Sequence, residues 1–218
     1  MKVCFLGTSH AAQHLSKAAQ DKGFTLCSIL RDADLVFVSE DTPTDENGVR
    51  RLPVIRALID IATRHTAPIV LTSAVPPGFC REVGIPLWHQ AEILRIKDAE
   101  FRARHPEQMI VGSATGREPI PDSYARYLAV WKCPVLRMTW EEAEFAKLAI
   151  NSYLAAQVDR TNRLFKAAAK VGADWNVVRQ VLVNDRRIGQ HAYLEPGRWQ
   201  DSPHLLRDDV TLREIEAR

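Results

Sequence analysis

The chain has 218 residues, with 29 lysines and arginines against 27 aspartates and glutamates, so its formal net charge is +2. This length suits one large domain or one domain with an added helical unit, and 46% hydrophobic residues argue against disorder. The near balance of charge does not favour binding to nucleic acid or to an anionic membrane. No stretch has the length of a membrane span or the pattern of a signal peptide, so we expect a cytoplasmic location.

Residues 1–138 alternate between predicted strands and predicted helices. Apolar runs predict strands at residues 2–6, 24–30, 33–39, 67–73, 84–89, 108–113 and 134–139. Helical spacing of apolar residues predicts helices at residues 10–23, 52–66, 91–104 and 120–132. This alternation predicts an α/β fold with a Rossmann-like parallel sheet.

Residues 139–218 are predicted to form a central helical unit. Residues 140–171 contain neither proline nor glycine, which predicts one helix of about nine turns, and a second helix follows from Asp174. Residues 194–209 contain two prolines and a glycine, which predicts a shaped C-terminal loop. A helix this long has a larger apolar face than a small sheet covers, so we expect a homodimer through it.

The turn after the first strand is a candidate cofactor site. Gly7 holds the first position of a dinucleotide-binding glycine motif, while Ser9 and Ala12 replace the other two glycines and His10 lies between them. These small residues would still let a pyrophosphate approach the N-terminus of a helix, which predicts NAD binding. An ordinary strand-to-helix turn is the alternative. The second strand has no acidic residue at its tip for the ribose, although Asp32 and Asp34 lie nearby.

Two further features have polar side chains suited to a site. The loops after the strands at 33–39 and 67–73 lie where parallel sheets bind ligands, and their cofactor candidates are Thr42, Pro43 and Ser73. On the long helix, Lys147, Asn151 and Asn162 fall on one face and could hold an oxyanion or a bound water. Alternatively, these three side chains form a polar stripe that is exposed to solvent. The four cysteines have no paired spacing, so neither a metal site nor a disulfide framework is expected.

Taken in order, these segments resemble the UDP-glucose/GDP-mannose dehydrogenase family, most distinctively in "DTPTDENG" and "KLAINSYLA". The resemblance implies an NAD-dependent enzyme that oxidises the C6 alcohol of a nucleotide sugar to a carboxylate in two hydride transfers. The second transfer in that family proceeds through a thioester on a cysteine. The resemblance also implies a dinucleotide-binding domain followed by a long-helix dimerisation domain; we expect the family's C-terminal nucleotide-sugar domain to be missing.

The resemblance assigns roles to individual residues. Lys147 matches the family's active-site lysine, Asn151 its partner, and Glu92 the first glutamate of a substrate-loop motif. In the loop of the nucleophile, Asp208 matches the final aspartate and His204 takes the place of the cysteine. An imidazole cannot form the thioester, but it can act as a general base for the first oxidation.

Two hypotheses follow from the replacement of the cysteine by His204. The first is a diverged NAD-dependent oxidoreductase that performs a single alcohol-to-aldehyde oxidation on a sugar or sugar nucleotide. It would use His204 or Lys147 as the base, with Asn151 and Asp208 in support. The second is a catalytically inactive homologue that serves as a dimeric binding or scaffold protein.

Overall fold

The computed structural model describes residues 1–45 and 47–218 and confirms the α/β fold with a long helix. The strands are β1 (Lys2–Leu6), β2 (Thr25–Leu26), β3 (Leu35–Val38), β4 (Ile69–Leu71), β5 (Trp88–Ala91), β6 (Met109–Ser113) and β7 (Val135–Thr139). The α-helices are α1 (His10–Asp21), α2 (Pro53–Ala62), α3 (Phe79–Val83), α4 (Ala99–Arg104), α5 (Asp122–Ala129), α6 (Trp140–Lys170), α7 (Trp175–Asn184) and α8 (Pro203–Glu216). None of these described helices is both long enough and apolar enough to cross a membrane.

The seven described strands form one sheet in the order β2-β1-β3-β4-β5-β6-β7. Neighbouring strands are parallel except for β5 and β6, which are antiparallel, so the sheet departs from the predicted parallel arrangement at this one pair. Such mixed sheets are common among large α/β folds. Since β1, β3 and β4 are mutually parallel, their carboxyl ends share one edge, where ligands bind in this class of fold.

The chain divides into two compact units. The first consists of Met1–Pro43 and Arg50–Lys147, and it contains the whole sheet. In β3, Leu35 and Phe37 pack against one set of helices while Val36 and Val38 pack against the other, and all four are fully buried. Burial on both sides explains why this strand is continuously apolar in sequence.

The first turns of α6 belong to this unit and pack closely on β6. A Cβ atom added at Gly112 would lie 2.7 Å from the Cβ of Ala143, so the helix approaches the strand at a position where only glycine fits. Trp140 is buried and its indole N–H donates to the carbonyl of Leu87 at 3.0 Å. The start of the long helix is therefore fixed to the sheet.

The second unit consists of Thr44–Val49 and Leu148–Arg218. Its small core contains Ala155 and Val158 of α6 together with the buried Trp199, whose indole N–H donates to Asp159 at 2.9 Å. Asn162 holds the backbone of Gly197 through two reciprocal hydrogen bonds of 2.7 and 2.9 Å. The polar stripe of α6 therefore binds the segment that follows α7, and Asn162 is engaged with that backbone rather than presented to an oxyanion.

The predicted loop at residues 194–209 is wrong in its second half, because α8 begins at Pro203. Proline is well suited to the first turn of a helix, since its fixed backbone angle fits and its missing N–H has no partner there anyway. The two prolines of this stretch predict a loop, whereas Pro203 starts a helix of 14 residues. His204 and Asp208 consequently lie on a helix.

One buried histidine in the sheet makes the stability of the fold depend on pH. His89 on β5 is 1% exposed, and burial lowers its pKa from 6.5 to about 4, against the raising effect of its 3.1 Å hydrogen bond to the carbonyl of Leu71. Because the unfolded chain binds this proton more tightly, the free energy of unfolding falls as pH falls from the ordinary pKa towards the lowered one.

We expect His89 to account for a loss of about 2 kcal/mol in the free energy of unfolding between about pH 7 and about pH 5. Urea denaturation at the two pH values measures it. His89→Asn should show a shallower pH dependence, while the exposed His105→Asn should keep the slope of the original chain. Equal slopes in all three proteins would show that His89 does not titrate in this way.

Candidate functional site

The turn between β1 and α1 has the tight geometry of a phosphate-binding turn. Gly7 has a φ of +125°, and an added Cβ atom would lie 2.3 Å from the carbonyl oxygen of Ser39. Ser9 caps α1: its hydroxyl accepts from the N–H of Ala12 at 3.1 Å and donates to the Ser39 carbonyl at 2.8 Å. Ser9 at the second glycine position therefore joins the turn to the end of β3.

A groove of about 410 Å³ lies beside this turn, between the ends of β1 and β2 and the first turns of α1. It is lined by Phe5, Gly7, Ala12, Ser16, Leu26 and Cys27, among others. Its size is within the usual range of small-molecule and cofactor sites, and its mixed apolar and polar lining suits a nucleoside. The residues present therefore fit the adenosine end of a dinucleotide.

The two aspartates considered for ribose recognition lie at the opposite edge of the sheet. Asp34 accepts a hydrogen bond of 2.7 Å from the backbone N–H of Lys2, the first residue of β1, and Asp32 is 4.0 Å from the Lys2 ammonium. The groove is at the carboxyl end of β1. Neither aspartate is placed to contact a ribose bound there.

The other predicted cofactor residues have different surroundings. The buried Thr42 hydroxyl donates to the Ala74 carbonyl at 2.9 Å, and the buried Ser73 hydroxyl accepts from the Glu40 N–H at 3.0 Å, so both join the loops after β3 and β4. Pro43 is exposed. His10 is also exposed, and its Nε2 atom lies 3.0 Å from Nε2 of His14.

In the second unit, two predicted catalytic residues meet in a buried polar cluster. Asn151 on α6 donates from Nδ2 to Oδ2 of Asp208 on α8 at 2.5 Å. Arg207 Nε lies 3.3 Å from the other carboxylate oxygen of Asp208. Asn151, Arg207 and Asp208 are 6%, 2% and 1% exposed, so this cluster is shielded from water. Buried polar groups of this kind hold one another in fixed orientations.

His204, Lys147 and Glu92 complete the set of predicted catalytic residues. His204 is partly buried in the first turn of α8, four residues before Asp208, and such a spacing places both on one face of the helix. Lys147 on α6 belongs to the first unit, as does Glu92, which follows β5 and accepts from the backbone N–H of Leu94. The second unit therefore joins Asn151 to Asp208, and His204 lies one helical turn before Asp208 on α8.

A carboxylate at the glycine turn was not predicted. Glu40 Oε2 accepts from the backbone N–H of Thr8 at 2.7 Å and from the Thr8 hydroxyl at 3.2 Å. The sequence signal was available, because an acidic residue directly after a buried strand lies at the edge where ligands bind.

None of the four free cysteines has the environment of a nucleophile. Burial raises the pKa of Cys4 to about 11, and burial with the nearby Glu144 carboxylate raises the pKa of Cys80 much further. Burial also raises the pKa of Cys27 and of Cys133. Since the thiolate is the reactive form, these thiols are poorly suited to forming a thioester. Among the described residues, no group of three or more His, Cys, Asp or Glu side chains is placed to hold a metal ion.

Comparison with known proteins identifies related enzymes. Residues 141–211 match the central domain of the UDP-glucose/GDP-mannose dehydrogenase family. The chain is 29% identical over 187 residues to UDP-glucose 6-dehydrogenase of Pseudomonas aeruginosa, covering 77% of this chain and 41% of that protein. GDP-mannose 6-dehydrogenase of the same organism is 28% identical, with 76% and 43% covered. The chain thus spans about two fifths of the length of these curated relatives.

Solved structures agree on the fold. A UDP-glucose dehydrogenase from Pyrobaculum islandicum matches with a TM-score of 0.71 and 18% identity, covering 99% of this chain and 68% of that one. A UDP-D-ManNAc dehydrogenase from Pyrococcus horikoshii matches with a TM-score of 0.74 and 13% identity over the same shares. The matched central domain, the related sequences and the shared fold lead to one conclusion: residues 141–211 correspond to the central domain of the UDP-glucose/GDP-mannose dehydrogenase family, and the chain is similar to such dehydrogenases in sequence and fold.

Proposed function

We propose that the protein is an NAD-dependent oxidoreductase that carries out a single alcohol-to-aldehyde oxidation on a sugar or sugar nucleotide. The buried hydrogen bond between Asn151 and Asp208, with His204 one helical turn earlier, is the observation that carries the proposal. It supplies a held polar group and a titratable base on elements of one unit. The resemblance to nucleotide-sugar dehydrogenases supports the substrate class.

The proposed reaction needs a base and a hydride acceptor. Phe5, Gly7 and Leu26 line the groove that would hold NAD, and NAD would supply the hydride acceptor when bound. The imidazole of His204 or the amine of Lys147 would take the hydroxyl proton. Asn151 and Asp208 would support that step through their buried hydrogen bond. The reaction would stop at the aldehyde, because the raised thiol pKa values disfavour the thiolate that a thioester requires.

Substitution of the two candidate bases tests this proposal. His204→Ala and Lys147→Ala should be compared, since the variant that lacks the base is expected to lose about 100-fold or more in turnover of NAD+ to NADH. His191→Ala, an exposed histidine of the second unit, is the matched control and should retain turnover. Normal turnover by both base variants would contradict the assignment.

One observation favours a second candidate function, a catalytically inactive binding or scaffold protein. The Thr8 N–H that a cofactor phosphate would use already donates to Glu40. Calorimetric titration with NAD+ and NADH separates the two candidates. Binding at millimolar concentration or better supports the oxidoreductase, and no binding at several millimolar supports the scaffold.

We also propose that the protein forms a homodimer through α6. Tyr153 and Leu164 are 74% and 41% exposed, and their spacing of eleven residues places them on one face of α6. Val171, which directly follows α6, is 80% exposed. The buried residues Asn151 and Ala155 lie on the opposite face. Large apolar side chains exposed along one helical face are typical of an association surface.

Light scattering coupled to size exclusion tests the dimer. The original chain should have twice the mass of one chain, and Leu164→Glu should shift it towards the monomer. Phe101→Glu, which replaces an exposed apolar residue on α4 of the first unit, should leave the mass unchanged. A monomer at high concentration of the original chain would contradict the proposal.

A further inference from the structure

The glycine turn of the first unit contains its own anion. The carboxylate of Glu40 accepts from both the backbone N–H and the hydroxyl of Thr8 through Oε2, and its Oε1 atom accepts from the N–H of Asp41 at 2.8 Å. The described first turn of α1 contains no acidic residue, so Glu40 supplies negative charge from the loop that follows β3. A carboxylate at this position is favoured by the N–H groups and by the dipole of the helix.

The backbone of Glu40 is held in place independently of its side chain. The Glu40 N–H donates to the hydroxyl of Ser73 at 3.0 Å. The preceding residue, Ser39, donates its N–H to the Leu6 carbonyl at 2.8 Å and accepts at its own carbonyl from the Ser9 hydroxyl at 2.8 Å. Contacts on both sides therefore fix the start of the side chain beside Gly7. The fixed backbone keeps the carboxylate within reach of the Thr8 N–H, and its hydrogen bonds there offset the conformational entropy lost when the side chain is ordered.

This contact competes with a bound phosphate in two ways. A phosphate that approached the turn would have to displace the carboxylate from the Thr8 N–H. If the carboxylate remained close, two negative charges would repel one another at short range. The adenosine end of a ligand carries no charge and would lie in the groove lined by Phe5 and Leu26, beside the turn. It would therefore neither displace the Glu40 carboxylate nor be repelled by it.

We infer that Glu40 is a specificity-determining residue of this groove: it occupies the phosphate position of the turn, so the groove binds a nucleoside about as well as its diphosphate. This inference rests on the proposed use of the groove for NAD. It predicts that the wild-type chain binds dinucleotides weakly. It also predicts that removal of the Glu40 side chain lets the phosphates of a ligand add to the binding affinity.

Calorimetric titrations with adenosine and ADP test the inference. The wild-type chain should bind the two ligands with affinities within about threefold of each other. Glu40→Ala should bind ADP about tenfold tighter or more, with adenosine unchanged, because only the phosphates gain a partner. Glu40→Gln removes the charge but can still cover the Thr8 N–H, so it should show a smaller gain in ADP affinity.

The matched control is Asp41→Ala. It removes the same charge from the next residue, whose carboxylate accepts from the Thr42 N–H at 2.8 Å and not from the turn. It should leave the ratio of ADP to adenosine affinity unchanged. A gain equal to that of Glu40→Ala would show that general charge, not the contact with Thr8, sets the preference, and would overturn the inference.

A second readout separates this inference from the proposed function. Inorganic pyrophosphate should shift the Thr8 amide resonance in Glu40→Ala and leave it in place in the wild-type chain. If that shift occurs but no protein binds adenosine, ADP or NAD+, the role of Glu40 stands and the NAD-dependent function fails. If wild-type ADP binding already exceeds adenosine binding by tenfold, or if Glu40→Ala gains neither ADP affinity nor the Thr8 shift, the inference is wrong.

Discussion

Replacing Asp208 by alanine is expected to lower the free energy of unfolding of the second unit by about 3–5 kcal/mol. The Asp208 carboxylate is 1% exposed; it accepts from Asn151 at 2.5 Å and lies 3.3 Å from the guanidinium of Arg207, which is itself 2% exposed. Alanine would deprive a buried cation of an adjacent carboxylate and a buried amide of its acceptor. Urea denaturation followed by circular dichroism measures the loss.

Asp201→Ala is the control for this substitution. Asp201 carries the same charge in the same unit, but its side chain is 70% exposed and lies 3.6 Å from an equally exposed Arg198. Exposed pairs contribute little to stability, so this variant should unfold close to the original midpoint. If Asp208→Ala proved as stable as Asp201→Ala, the cluster around Asn151 would not hold α6 and α8 together.

Replacing Gly7 by alanine is expected to lower the free energy of unfolding by about 3–5 kcal/mol, for two reasons that add. A φ of +125° is costly for any residue with a side chain. The new Cβ atom would also lie 2.3 Å from the Ser39 carbonyl oxygen, a backbone atom that is held by the sheet and by the Ser9 hydroxyl. The turn and the end of β3 would have to separate, which would also distort the proposed cofactor groove.

Gly23→Ala separates the cost of the positive φ from the cost of the close contact with Ser39. Gly23 follows α1 with a φ of +89°, but nothing lies within 4 Å of an added Cβ atom. Its substitution should therefore cost about 1 kcal/mol, from the backbone alone. Thermal denaturation of both variants gives the comparison. Equal losses at the two positions would mean that the close approach of Ser39 to Gly7 adds nothing to the stability of the turn.

Much of the fold could be predicted because local patterns and tertiary packing agree. Residues 140–171 lack helix breakers, and α6 runs from Trp140 to Lys170. The run at 33–39 is apolar throughout since β3 is covered on both sides. The predicted strand at 24–30 is reduced to Thr25 and Leu26, both exposed, because the edge of a sheet has a partner on one side only.

The site was harder to predict because it depends on contacts between residues far apart in sequence. The resemblance assigned Asn151 and Asp208 to one site, and the structure joins them by a hydrogen bond across 57 positions of the chain. Asn162 has the same helical spacing as Asn151, yet it binds the backbone of Gly197. Helical periodicity gives the face of a side chain but not the partner that covers it.

The most direct test of the proposed chemistry is a product count. The protein is incubated with NAD+ and a panel of nucleotide sugars; NADH is followed by absorbance while the sugar product is identified by mass spectrometry. We predict one NADH for each sugar consumed, with an aldehyde as the product. Two results would contradict a single oxidation that uses His204 or Lys147 as its base. One is the formation of two NADH for each sugar, with a carboxylate as the product. The other is the absence of NADH with every sugar despite measurable NAD+ binding.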